Sequence, residues 1–143
     1  MKPILFIDVD GVLIGLYDGY LQIRPNVIGF LDWCSKHFEC VWLSCRMDSF
    51  ARLADIPLPQ GGEMLRKIKT CKWNRNKAEA ALKYANKRQF YWIEDGLLDE
   101  EVETLLDAGF MNNFLWVNPE GRDELYLTQK RLAEKIEVKL DVH

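Results

Sequence analysis

The sequence predicts an α/β domain built on a mostly parallel, doubly wound, Rossmann-like sheet with helices on both faces. Apolar runs of strand length alternate with segments of helical periodicity along the chain, a pattern typical of parallel strands joined by helical crossovers. The first run, residues 3–9, is almost continuously apolar, as expected for a central strand buried on both faces. With 143 residues and 48% apolar side chains, the chain suits one domain with a single core.

The first half of the chain carries signals for a hairpin and a helix after the first strand. Residues 11–24 alternate apolar residues with glycine around the turn signal Tyr17-Asp18-Gly19-Tyr20, which predicts a short flap hairpin. Pro25 is tolerated in a first helical turn, and apolar residues then recur at helical spacing. We predict a strand over 3–9, a flap over about 11–24, a helix over 25–37, a strand over 38–43, a short helix over 47–54 and a loop over 55–62.

The second half repeats the alternation of helix and strand. Asn76 is a suitable helix cap, and Gly109 is a normal helix stop. We predict a helix over 77–87, a strand over 89–93, a helix over 100–108, a strand over 114–117 and a helix over 123–138.

Composition limits the classes of function. No stretch approaches the roughly 18 uninterrupted apolar residues of a membrane span, and Asp8 and Asp10 interrupt the N-terminal apolar run, which argues against a signal peptide. We therefore expect a cytoplasmic protein, one domain over residues 1–143, and no membrane partner.

Cysteine and histidine usage does not favour a zinc site. The four cysteines lack C-x-x-C spacing, and neither of the two histidines is placed to complete a zinc set. We expect reduced, mostly buried thiols. Any metal chemistry must then rest on carboxylates, which select hard ions such as Mg²⁺.

Positive charge is concentrated in one segment of an acidic chain. Residues 63–88 carry nine Lys or Arg against two Glu, whereas the whole chain has a net charge of −3. Either this segment attracts an anionic ligand or it is a solvated helix face. Trp73 lies among Lys72, Asn74 and Arg75 and is a candidate for stacking on a base. Four further tryptophans lie in apolar periodic runs and are predicted to be core: Trp33, Trp42, Trp92 and Trp116.

Polar side chains follow three of the predicted strands. Asp8 and Asp10 come after the first, Ser44 after the second, and Glu94 with Asp95 after the third. Ligands of open parallel sheets bind beyond the carboxyl ends of the strands, so these side chains point to one site. Carboxylates gathered there would repel one another unless a cation lay between them. A divalent metal is the simplest solution.

The first two of these strand ends resemble motifs of the haloacid dehalogenase superfamily of phosphohydrolases. Asp8-Val9-Asp10-Gly11-Val12-Leu13 resembles the first motif, D-x-D-G-[TV]-[LI]. The resemblance implies that Asp8 is nucleophile and metal ligand, and that Asp10 is general acid and base with its backbone carbonyl on the metal. Val41-Trp42-Leu43-Ser44 resembles the second motif, which makes Ser44 a phosphate ligand. Arg46, directly beyond it, is a further candidate for phosphate binding, or forms a salt bridge.

The remaining two motifs follow in family order. Lys77, at the start of a predicted helix, resembles the third-motif lysine that binds phosphate, with Lys72 as the alternative. Residues 92–99 resemble the fourth motif, which implies that Asp95 binds the metal while Glu94 and Asp99 support it. Glu94 stands where many members have Asp or Gly.

The resemblance covers residues 4–99, roughly two-thirds of the chain. The intervals between motifs are too short for a large cap domain. By family likeness, such an open site serves a large substrate unless an oligomer partner covers it. Residues 24–42 also resemble the carboxy-terminal-domain-phosphatase-like and polynucleotide-phosphatase-like branches.

These features predict a Mg²⁺-dependent phosphohydrolase that cleaves phosphate monoesters through an aspartyl-phosphate intermediate. The basic segment and the lack of a cap favour a nucleotide, a nucleic-acid end or a phosphoprotein as substrate over a small sugar phosphate. Two alternatives belong to other classes. One is a phosphorylatable signalling module of receiver type, and the other is a non-catalytic binding protein that keeps the fold.

Overall fold

The computed structural model describes residues 1–43 and 67–137. Ser44, Arg46, the predicted helix over 47–54 and the predicted loop over 55–62 lie outside the described residues. The strands of the described ranges are β1 (Ile4–Ile7), β2 (Ile14–Tyr17), β3 (Tyr20–Ile23), β4 (Glu39–Trp42), β5 (Lys69–Thr70), β6 (Phe90–Glu94) and β7 (Phe114–Trp116). The helices are α1 (Val27–His37), α2 (Lys77–Ala85), α3 (Asp99–Ala108) and α4 (Glu124–Lys135), with a short 3-10 helix at Met111–Asn113.

Five strands of the described ranges form a parallel sheet in the order β5-β4-β1-β6-β7. β1 lies at the centre, where Ile7 is level with Trp42 of β4 on one side and with Ile93 of β6 on the other. Numbered by their place in the chain, these strands run 3-2-1-4-5, which is the Rossmann order. The predicted α/β class with a mostly parallel, Rossmann-like sheet is confirmed.

The continuous apolar character of β1 follows from its burial on both faces of the sheet. Leu5 and Ile7 pack in a core that includes apolar residues of α1 and α4. Ile4 and Phe6 point the other way, into a second core with apolar residues of α2 and α3. Because successive side chains of a strand point to opposite faces, a strand between two helical layers must be apolar at every position.

Most predicted elements are present, with ends that differ from the predicted ones by at most three residues. Glu94 lies within β6 rather than after it, so its side chain is held by the sheet. β5 was not predicted, because a two-residue edge strand with exposed side chains has no apolar pattern. Trp116 was predicted to be core and is instead about half exposed, because it lies on the edge strand β7 and its indole N–H donates to the carbonyl of Asp95.

The predicted flap is an antiparallel hairpin of β2 and β3. Asp18 and Gly19 both have positive φ, at 52° and 81°, as a two-residue hairpin turn requires. The backbone N–H of Leu16 donates to the carbonyl of Pro119 at 2.8 Å, and Arg122 forms an ion pair with Asp18 at 3.1 Å. The hairpin is therefore attached to the loop that follows β7.

Two further sequence expectations can be compared with the described residues. Cys34, Cys40 and Cys71 are free thiols, and burial raises the pKa of each, so they are poor nucleophiles. None of the helices in the described ranges has the length and apolar character needed to cross a membrane.

Candidate active site

The candidate site lies at the carboxyl ends of two adjacent central strands. Asp8 directly follows β1, Glu94 ends β6, and Asp95 comes next. The two strands pair in parallel with Ile7 opposite Ile93, so their carboxyl ends are level. The chain crosses from β1 to β4 and β5 on one side and returns to β6 on the other. This is the topological switch point, where ligands of open α/β sheets bind.

Three carboxyl groups meet at this point. One carboxylate oxygen from each of Asp8, Glu94 and Asp95 lies within 4.8 Å of the others. Asp8 is 2% exposed and Glu94 is 7% exposed, while Asp95 is more open to solvent. Burying several carboxylates together is unfavourable without a balancing positive charge.

Lys77 provides part of that charge. Its Nζ donates a hydrogen bond to Glu94 Oε1 at 2.6 Å and lies 4.0 Å from Asp8 Oδ1. The lysine is 5% exposed. Because its ammonium has three donors and lies beside the acidic group, it is placed to bind an anion that enters the site. Lys72, the alternative, is exposed.

Two local features fix Lys77 at the first position of α2. The Asn76 side chain caps the helix by accepting from the backbone N–H of Glu79 at 3.0 Å, as predicted. The Glu101 side chain accepts from the backbone N–H of Lys77 at 2.8 Å and from that of Leu98 at 2.9 Å. One buried carboxylate of α3 therefore fixes the start of α2 as well as its own helix.

Gly11 allows the loop after β1 to lie directly against Asp95. It has φ of +83°, and a Cβ placed there would be 2.3 Å from Asp95 Oδ2. A side chain at this position would be strained and would displace the carboxylate. The glycine of the first motif thus brings the Asp8 loop and Asp95 together.

The pKa values of the acidic residues are raised. Burial raises the pKa of Asp8 from its usual 3.8 to about 6, and the Lys77 ammonium opposes the rise. Burial and the neighbouring Asp8 raise the pKa of Glu94 to about 8, again against Lys77. Burial also raises the pKa of Asp95. Each rise in pKa shows that the carboxyl group is poorly solvated and lies close to other acidic groups.

The acidic group fits a divalent cation. When all three carboxyl groups are ionised, as a bound cation would favour, the Lys77 ammonium leaves two negative charges uncompensated. Within the described residues, the buried oxygens Asp8 Oδ1 and Glu94 Oε2 have no hydrogen-bond partner, so both have free capacity for a ligand. Oxygen donors of this kind suit hard cations such as Mg²⁺. Asp8, Glu94 and Asp95 could therefore bind a metal ion.

The predicted site residues differ in where they lie relative to the acidic group. Asp8, Asp95 and Lys77 lie close together, and the carboxylate of Glu94, expected only to support, belongs to the same acidic group. The Asp10 side chain is not in that group, but its charge raises the pKa of both Asp8 and Asp95, so it lies nearby. Asp99 is exposed at the start of α3. Ser44 and Arg46 are not in the described residues.

Two buried residues that position the site were not predicted as site residues. Glu101 is 5% exposed. The sequence feature that could have identified it is an acid three residues after the helix cap, where the glutamate of a capping box lies. Arg24 is 2% exposed and donates to the carbonyls of Gly11 at 2.9 Å, of Asn118 at 2.7 Å and of Gly121. It joins the loop after β1 to the loop after β7. Its sequence signal was confined to the pair Arg24-Pro25.

Comparison of the chain with protein-family models and with curated proteins gives no match.

Proposed function

We propose that this protein is a Mg²⁺-dependent phosphohydrolase that cleaves phosphate monoesters, as its likeness to the haloacid dehalogenase superfamily implies. The observation that carries the proposal is the buried group of Asp8, Glu94 and Asp95 beside Lys77 at the switch point of the sheet. Phosphoryl transfer needs a positioned nucleophile and compensation of the phosphate charge. This group offers both.

In the first step, an oxygen of the Asp8 carboxylate attacks phosphorus while the bond from phosphorus to the leaving oxygen breaks. The product is an aspartyl phosphate, a form of covalent catalysis open to carboxylates. Asp10 in its protonated form gives its proton to the leaving oxygen, so the alcohol departs neutral. The pKa of about 6 for Asp8 leaves this nucleophile ionised at neutral pH.

In the second step, water attacks the phosphorus of the aspartyl phosphate and the bond to the Asp8 oxygen breaks. Asp10, now ionised, takes a proton from the water, and inorganic phosphate and the Asp8 carboxylate are regenerated. Lys77 Nζ, 4.0 Å from Asp8 Oδ1, neutralises negative charge on the phosphate oxygens in both steps. Ser44 and Arg46 remain predicted phosphate ligands.

Asp8, Asp95 and the Asp10 backbone carbonyl would hold the Mg²⁺, with Glu94 beside them. When bound, the ion supplies electrostatic stabilisation of the charge that develops on the phosphate. The carboxylates would fix the position of the ion, and Lys77 keeps Glu94 in place through the 2.6 Å hydrogen bond.

The strand order supports this proposal over the receiver alternative. The sheet of the described residues has the Rossmann order, with the acidic pair after its first and central strand. Receiver modules have the flavodoxin-like order 2-1-3-4-5. The strand order therefore argues against the receiver alternative.

The test is magnesium-dependent release of phosphate from nucleotides, phosphorylated oligonucleotides, sugar phosphates and phosphopeptides. Asp8→Asn removes the nucleophile with little change of shape and should abolish turnover, as should EDTA. Asp107→Asn makes the same chemical change on the exposed face of α3 and should retain activity. Turnover by a folded Asp8→Asn variant would refute the proposal.

A further inference from the structure

An open groove lies beside Lys77 on the α2 side of the sheet. Its volume is about 380 Å³, and its lining includes Lys72, Trp73, Glu79 and Lys83. We call it the Trp73 groove. The residues come from the loop before α2 and from the first two turns of that helix, so the groove starts at the same helix terminus that holds Lys77.

Trp73 connects the groove to the acidic group. Lys77 Nζ lies 5.4 Å from the centroid of the Trp73 ring and 4.0 Å from Asp8 Oδ1. The same ammonium therefore contacts the aromatic lining of the groove and the proposed nucleophile. A phosphate attacked by Asp8 would therefore lie near the ammonium that also contacts the Trp73 ring.

The groove combines an aromatic surface with positive charge. Lys72 and Lys83 are exposed, and neither has an ion-pair or hydrogen-bond partner in the described part of the chain. Glu79 is the acid among the lining residues. An aromatic ring and unpaired lysines in one groove are the groups by which proteins hold single-stranded nucleic acid, with bases stacked on the ring and phosphates on the cations.

We propose that the Trp73 groove binds single-stranded nucleic acid whose terminal phosphate is the substrate. A base stacks on Trp73, and Lys72 and Lys83 bind backbone phosphates. The assignment of the terminal phosphate as substrate rests on the proposed function. Binding of the strand to the groove does not, so the two can fail separately.

The binding test is fluorescence anisotropy with labelled single-stranded DNA and RNA 12-mers, added to the whole chain. Trp73→Ala should weaken binding about tenfold or more, since stacking on one aromatic ring is worth about 1–3 kcal/mol per base, while Trp73→Phe should stay close to wild type. The double variant Lys72→Gln/Lys83→Gln should flatten the salt dependence of log Kd by about 0.7 per lysine. Lys130→Gln, an exposed lysine on α4 across the sheet, serves as the matched control.

Comparison of the DNA and RNA 12-mers also identifies which nucleic acid the groove binds. Tighter binding of RNA or of DNA identifies which one the groove takes, and both outcomes support the proposal if they depend on Trp73. Equal affinity of Trp73→Ala and wild type would overturn it, as would competition by inorganic polyphosphate as effective as that by the oligonucleotide. An effect of Lys130→Gln as large as that of the double variant would also overturn it.

Turnover separates this inference from the proposed function. Wild type should hydrolyse a terminally phosphorylated oligonucleotide with a higher kcat/KM than p-nitrophenyl phosphate, and the ratio should fall about tenfold in Trp73→Ala. Hydrolysis of the small ester with no preference for the oligonucleotide would refute the inference and leave the proposed function standing. Binding that depends on Trp73 with no ester hydrolysed would refute the proposed function and leave the groove assignment standing.

Discussion

The central residues of the site carry charge that the fold only partly compensates. Asp8 and Glu94 are nearly inaccessible to solvent, and Lys77 is the ammonium that contacts both. Removing the Lys77 ammonium would leave buried carboxylates uncompensated, which is far more costly than loss of an exposed pair. Such a local cost in stability is expected where buried charged groups bind a ligand.

The raised pKa of Asp8 predicts how stability depends on pH without divalent metal. Between the unfolded pKa of 3.8 and the folded value of about 6, the folded protein binds more protons than the unfolded chain, so stability falls as pH rises. The higher pKa of Glu94, about 8, extends the fall towards pH 8. Asp8→Asn cannot ionise, and at pH 8 in EDTA we expect it to be about 2–3 kcal/mol more stable than wild type.

Urea unfolding at pH 4.5 and pH 8 measures this difference. At pH 4.5 the difference should shrink to about 1 kcal/mol, because Asp8 is then mostly protonated in the folded wild type but still mostly ionised in the unfolded chain. Asp107→Asn should match wild type at both pH values. If Asp8→Asn were less stable than wild type at pH 8, burial would not be the main influence on the pKa of Asp8.

At the scale of the elements, the loop between β1 and the flap hairpin sets the distance between Asp8 and Asp95. Gly11 and Gly19 both have φ near +80°, but a Cβ at Gly11 would overlap Asp95, whereas a Cβ at Gly19 would have no atom within 4 Å. Substitutions at the two glycines can therefore distinguish the effect of backbone strain from the effect of the close approach to Asp95.

Gly11→Ala should therefore damage both stability and the metal site. We expect a loss of about 1–3 kcal/mol from strain and overlap and at least a tenfold loss of magnesium affinity, measured by thermal unfolding and calorimetric titration. Gly19→Ala carries the strain alone and should keep wild-type magnesium affinity. Equal affinity of Gly11→Ala and wild type would show that the contact with Asp95 does not hold the site together.

For the whole molecule, magnesium binding should appear as a gain in stability. A ligand that binds only the folded state at 100 times its Kd adds about 2.7 kcal/mol, which corresponds to several degrees in Tm for a domain of this size. We expect Mg²⁺ to raise the Tm of wild type and of Asp107→Asn, but not that of Asp8→Asn or Asp95→Asn.

Thermal unfolding at constant ionic strength, with NaCl replacing MgCl₂ in the reference samples, measures this gain. Equal shifts in wild type and in Asp95→Asn would place the bound magnesium elsewhere.

The parts of the fold and site that could be predicted from the sequence are those with a local signal. The apolar run of β1 and the acids at its end are contiguous, so the strand and Asp8 could be assigned directly. The helix start at Lys77 was likewise marked by Asn76. The pairing of Glu94 with Lys77 could not be predicted from the sequence, because the two residues are 17 positions apart and only the fold brings them together.

Buried connections between distant loops had no such signal. Arg24 reaches carbonyls nearly a hundred residues away, and no local pattern distinguishes it from a surface arginine. Glu101 reads as an ordinary acid in the first turn of a helix, yet it accepts from the backbone of Lys77 in another helix. The exposure of Trp116 depends on β7 being at the edge of the sheet, which strand patterns alone do not reveal.

The most direct test of the account is whether Asp8 itself is phosphorylated during turnover. Asp10→Asn should slow hydrolysis of the aspartyl phosphate, while a substrate with a good leaving group, such as p-nitrophenyl phosphate, still phosphorylates the enzyme. Borohydride reduces an acyl phosphate to an alcohol, so peptide mass spectrometry after rapid quenching can locate the modified carboxyl. We predict modification at Asp8 alone, dependent on Mg²⁺ and absent from Asp8→Asn. Hydrolysis of the substrate with Asp8 unmodified, or with another residue modified, would contradict the account.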